Sequence, residues 1–171
     1  PAEVKVNKKA QEAMQAEWDR LRNVERPDGT RGVWDESKVE EWSKVKARAK
    51  RQGRIAHVGL VFGIVVEKNH ELDILDKRRK YKGRAVYQGN MVRDQDGNWA
   101  IFQELGSNPA TMEGARAADA YGLMPDNDVE QSDAEQAYTQ SWFTGEETWV
   151  RLPYDQWPQK WKADNMQDPV C

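Results

Sequence analysis

The chain has 171 residues, of which 32% are charged and 38% apolar, with eight Trp and a formal net charge of −3. That length fits one domain, or one domain plus an appendage, built on a modest core. A single Cys excludes a disulfide framework and a Cys-based zinc site, and the longest apolar run, Val58 to Val66, is well short of the ~20 residues a membrane helix needs.

The charge is unevenly distributed. Residues 1–90 hold 21 Lys and Arg against 14 Asp and Glu, whereas residues 91–171 hold 5 against 15. Cations that track phosphates and carboxylates that hold a metal would account for the split. Two solvated faces that attract one another would do so equally well. His57 and His70 are far apart and lack metal-ligand spacing, so they read as ordinary polar residues. No secretory signal is present, and the opening Pro1 suggests a processed or excised piece. The expected setting is intracellular, cytoplasm or nucleus.

In chain order, Ala10, Met14, Trp18 and Leu21 form one apolar stripe and predict a helix over 8–23, with Asn7 as its cap. Arg26-Pro27-Asp28-Gly29 is a turn. A second helix is expected over 37–52, with Ser37 and Glu40 at capping-box spacing, Val39, Trp42, Val45 and Ala49 as its stripe, and Gly53 as its stop. Its basic last turns suit the helix dipole without invoking nucleic acid. Residues 54–67, rich in Val and Ile, predict a strand bent or bulged at Gly59 or Gly63. Residues 81–88 alternate, with Tyr81, Gly83, Ala85 and Tyr87 on one face and Lys82, Arg84, Val86 and Gln88 on the other. Asp94 to Asn98 is a turn, and 99–103 a short strand. Ser107-Asn108-Pro109 opens a helix to about Tyr121 with Met112, Ala115, Ala118 and Leu123 facing a core. Strands follow over 128–133 and 148–152. The segment after Asp155 has no periodicity and reads as a docking arm or a disordered tail.

This order predicts an α+β fold with helices packed on a mainly antiparallel sheet. The expected regions are a helical 1–53, a β region 54–106, a mixed 107–154 and a tail 155–171.

Three groups of residues can carry chemistry. Asp133 stands at a strand's end, where a carboxylate beside exposed amides suits Mg²⁺ and a triphosphate, and Tyr138 five residues on could stack on a sugar. A surface Asp beside a core Tyr has the same spacing. Lys82 and Arg84 point the same way on their strand, able to grip phosphate or, alternatively, to guard a sheet edge. Trp18 and Trp42 lie on helical stripes and read as core; Trp99, Trp142 and Trp149 stay undecided.

Four segments resemble, in order, the N-terminal part of a copia-type retrotransposon reverse transcriptase. Ala13 to Leu21 with Gly32-Val33-Trp34 resembles its opening helix and tryptophan turn. Tyr81 to Gly89 is similar to its "YKARLVAKG" strand, Gln131 to Tyr138 to its "QxDVxxAF" segment, and Glu146 to Pro153 to "EEVYMRQPP". The resemblance implies partial fingers and palm. It also implies Asp133 as the first catalytic Mg²⁺ ligand, Ala134 assisting through its carbonyl, Tyr138 as a sugar gate, and Lys82 and Arg84 near the triphosphate or template. The 35–54 insertion is longer than the family's usual loop. The aromatic-x-Asp-Asp motif is absent, because the Asp residues after Asp133 are Asp155, Asp164 and Asp168. The expectation is therefore a chain inactive alone that binds nucleotide and nucleic acid weakly. An alternative is a non-catalytic, domesticated subunit whose apolar face is covered by protein partners. A free nucleic-acid-binding module is disfavoured by the acidic second half and a pI near 5.5.

Overall fold

Helix α1, Lys8–Asn23, forms on the predicted stripe, and the Asn7 side chain accepts the Ala10 amide at 3.3 Å as its cap. The computed structural model describes residues 7–26, 28–100, 110–132, 139 and 144–171. They fall into two compact units, residues 1–100 with 143–171 and residues 101–142.

In the first unit, the expected capping box does not form. Asp35 instead caps a short 3₁₀ turn, Glu36–Lys38, by accepting the Ser37 amide. Glu40 and Glu41 are then extended as strand β1. Helix α2, Trp42–Gln52, follows directly, and Gly53 ends it at φ 61° with its amide donating to the Ala49 and Lys50 carbonyls.

Strand β2, Ala56–Lys68, is the centre of a three-stranded sheet of order β3-β2-β4. Strand β3, Lys80–Tyr87, pairs antiparallel with it from Val61↔Tyr87 to Lys68↔Lys80. Strand β4, Glu147–Arg151, pairs parallel with it from Ala56↔Glu147 to Leu60↔Arg151. The sheet is thus mixed rather than mainly antiparallel. A parallel neighbour needs a crossover connection, and the long stretch between β3 and β4 supplies the length. Neither ladder shows a bulge at Gly59 or Gly63. Those glycines provide clearance instead: a Cβ on Gly59 would run into the Tyr87 ring, and one on Gly63 would lie 2.7 Å from the Met14 sulfur.

The two faces of β2 carry different helices. Ala56 and Val58 point to α2 and form a core with Trp42, Val45, Ala49, Trp149 and Val170. Val61, on the opposite face, joins Trp18, Leu152 and Trp161, with Met14, Trp34 and Tyr87 packed around them. The arrangement is an α+β domain with helices against a mixed, open sheet.

Residues 155–171 belong to this core and are not a free arm. A short helix α4, Gln159–Ala163, buries Trp161, and strand β5, Pro169–Val170, pairs with β1. Val150 and Cys171 exchange backbone hydrogen bonds of 2.9 and 3.1 Å, which occupies the outer side of β4 there. Arg151 grips Asp168 through two bonds of 2.6 and 2.8 Å, and the Glu41 carboxylate accepts the Gln167 and Asp168 amides. These contacts are distant in sequence, so local periodicity could not signal them.

In the second unit, helix α3, Met112–Gly122, starts later than expected. Thr111 caps it, accepting the Gly114 amide at 3.1 Å, and the predicted Ser107–Pro109 entrance lies outside the described residues. Its anticipated core face is exposed, with Met112 at 66% and Leu123 at 86%. Residues 128–132 carry no strand. Of the short strand expected over 99–103, Trp99 makes only an isolated bridge to Arg93, and 101–103 lie outside the described residues.

Candidate functional site

The β2–β3 hairpin sets out the cations singled out in the sequence. Strand alternation places Lys82 and Arg84 on one face of β3, both exposed, opposite Val66 and Ile64 respectively. Gly83 lies between them on the other face, pressed on α1. A Cβ there would sit 2.5 Å from the Ala13 carbonyl oxygen and 2.8 Å from the Met14 Cα. Helix α1 therefore backs the strand at the point where its front presents the two charges. Only glycine permits that approach, because the obstructing atoms are backbone.

The neighbouring cations are used within the hairpin. Arg79 donates to Glu67 at 2.9 Å and to the Leu72 carbonyl at 3.2 Å, and Arg78 donates to Asp76 at 2.7 Å. The hydrogen bond from Arg79 holds the Glu67 carboxyl below its usual range, and that from Arg78 does the same to Asp76. Asn69 closes the loop by donating to the Arg78 carbonyl at 2.8 Å. In the basic run Lys77–Arg84, Arg78 and Arg79 are thus structural. The side chains of Lys82 and Arg84 make no hydrogen bond or ion pair among the described residues.

Asp133, Ala134 and Tyr138 lie outside the described residues. Among the described residues, no group of three or more His, Cys, Asp or Glu side chains could hold a metal ion. The later Asp residues have separate settings. Asp155 is in a 3₁₀ turn, Asp164 follows α4, and Asp168 is bound to Arg151. Two cations of α2 are also internally engaged: Arg48 bonds Glu40 at 2.6 Å and Glu147 at 3.4 Å, and Lys50 pairs with Asp96 at 2.6 Å.

Most described Trp residues serve the fold. Trp18, Trp42, Trp149 and Trp161 are buried, and the Trp157 indole donates to the Leu152 carbonyl at 2.9 Å. Trp99 differs: it is half exposed, with the Arg93 guanidinium 3.9 Å above its ring. Trp142 lies outside the described residues. Burial pushes the Tyr87 hydroxyl up to about 12, and its oxygen has no hydrogen-bond partner among the described residues. Burial likewise pushes the Cys171 thiol up to about 12, making it a poor nucleophile. A cleft of about 290 Å³ is lined by Arg22, Glu36 and Gln156 among others, but Arg22 is committed to both of the latter.

Sequence reasoning did not single out the row beside the cations. Leu60, Phe62, Ile64 and Val66 share the face of Lys82 and Arg84, and Leu60, Ile64 and Val66 are 41%, 40% and 51% exposed. Their alternation was a signal, but a run rich in Val and Ile reads as buried on both sides. No protein-family model, curated protein or solved structure matches the chain.

Proposed function

We propose that this chain is part of a copia-type reverse transcriptase, with the β2–β3 hairpin as a fingers element that offers Lys82 and Arg84 to the phosphates of a nucleotide or template strand. The observation that carries the reading is the contrast within one basic run: Arg78 and Arg79 are tied down, while Lys82 and Arg84 stand side by side, exposed and without a side-chain partner among the described residues. Arg supplies a planar fork and Lys a compact charge, a pair suited to phosphate oxygens.

In this reading Asp133 and the Ala134 carbonyl contribute oxygen ligands to Mg²⁺, and Tyr138 contacts the sugar. A carboxylate and a carbonyl are donors that Mg²⁺ accepts. When bound, the metal would supply charge neutralisation at the phosphates. Two-metal phosphoryl transfer requires further carboxylates, and Asp168, the last Asp in this chain, is engaged by Arg151. The 171 residues alone are therefore expected to bind without polymerising.

The test is binding of a fluorescent deoxynucleoside triphosphate, measured across a salt series with primer extension in parallel. Binding should weaken steeply as salt rises and drop further in Lys82→Gln/Arg84→Gln. Salt-independent binding, or binding that survives the double substitution, would sink the assignment. Templated extension by this chain that disappears in Asp133→Asn would refute its inactivity alone.

A further inference from the structure

We infer that the bare half of the β2 face is a docking site for an amphipathic helix of a partner protein, a helix with acidic residues along one flank. The inference goes beyond the polymerase reading, because it rests on the apolar row of β2, and it shares only Lys82 and Arg84 with that reading.

One face of β2 is in two states. Its first part, Ala56 and Val58, is 0% and 4% exposed beneath α2. The same face continues through Leu60, Phe62, Ile64 and Val66, of which Phe62 is half-buried and the other three exposed, and among the described residues no helix covers it. The opposite side of that stretch is covered, with Gly63 against Met14 of α1 and Val61 buried. A sheet in this kind of fold is normally covered on its apolar faces by packed elements. The row left exposed among the described residues therefore marks a place for a further layer.

The dimensions and charges define what fits. Leu60 to Val66 spans about 20 Å of strand, the length of roughly 13 helical residues. Directly opposite pairs share a face, so Val86 lies beside Phe62, Arg84 beside Ile64, Lys82 beside Val66 and Lys80 beside Lys68. A helix laid along β2 would set its apolar stripe on the row and one flank over Arg84, Lys82 and Lys80. Carboxylates on that flank would meet cations that have no partner among the described residues. A single-stranded nucleic acid fits less well, because base stacking calls for aromatic platforms and this row offers only Phe62.

The probes are an amphipathic peptide of about 18 residues with a Leu stripe and a Glu flank, its Leu/Lys counterpart, and a single-stranded oligonucleotide. Each is titrated against the chain by fluorescence anisotropy. The Leu/Glu peptide should bind best. Its affinity should fall about tenfold or more in Ile64→Thr/Val66→Thr, and also in Arg84→Glu. Triphosphate binding should be unchanged in the Thr pair, which separates failure here from failure of the phosphate reading. Circular dichroism confirms that the variants fold. Equal binding by the Leu/Lys peptide, or Leu/Glu binding that survives the Thr pair, would overturn the inference. Tighter binding by the oligonucleotide that is lost in the Thr pair would make the face a nucleic-acid platform and overturn it equally.

Discussion

The two halves of strand β2 present an apolar row on the same face and meet opposite fates. Ala56 and Val58 are sealed by α2, whereas Leu60, Ile64 and Val66 on the same face are open. The first half shows what a strand needs from its partner layer. Trp42 and Val45 fill the space above it, Trp149 flanks it from β4, and Val170 closes the end. The second half continues the apolar row, and among the described residues no such layer lies on it. Apolar alternation therefore specifies a strand and its faces, but not whether each face will be buried.

The comparison can be pressed at three points, in order of expected effect. Trp42→Ala removes the largest side chain of the α2 layer and should destabilise the chain by about 3–5 kcal/mol. Chemical denaturation measures it, and a loss below 1 kcal/mol, on the order of an exposed site, would show that α2 does not seal this half. Next comes Gly83→Ala. Its methyl would be driven against α1 backbone, which cannot swing aside as a side chain can. The expected cost is about 1–3 kcal/mol, accompanied by weaker triphosphate binding as the strand carrying Lys82 and Arg84 shifts. Unchanged stability and binding would mean that α1 does not set the position of that strand. Last is Val66→Thr, which keeps the branched shape and adds a hydroxyl on the open half. Its thermal midpoint should correspond to a change within about 0.5 kcal/mol. A larger loss would show that this face is covered after all.

Local features were legible where a residue acts on its immediate neighbours. The α1 stripe and Asn7 cap, the Gly53 stop, the alternation of 81–88 and the strand over 148–152 all follow from short-range sterics and amphipathic spacing. The α2 start differs from the expected one because Asp35, not Ser37, is the residue that caps there. Asp35 holds the 3₁₀ turn, and the chain must stay extended through Glu41 to pair with Pro169 and Val170. The last 17 residues have no period because their order comes from elsewhere: from Arg151 on Asp168, from Glu41 on two amides, and from β1. Helix α3 illustrates the reverse case. Thr111 caps a helix there, yet its apolar side chains are exposed, since a stripe confers amphipathicity and not a partner.

For the candidate site, sequence alone determined that Lys82 and Arg84 share a face, because strand alternation is a property of the backbone itself. It also determined the chemical types at Asp133, Ala134 and Tyr138, which lie outside the described residues. Tertiary structure decided which cations are spent: Glu67 takes Arg79 and Asp76 takes Arg78, leaving Lys82 and Arg84 unpaired among the described residues. It decided that β4 runs parallel to β2, and that Leu60, Ile64 and Val66 stay exposed on one sheet face. Those outcomes depend on pairings between distant segments, which compete through packing and charge in three dimensions and leave no periodic trace along the chain.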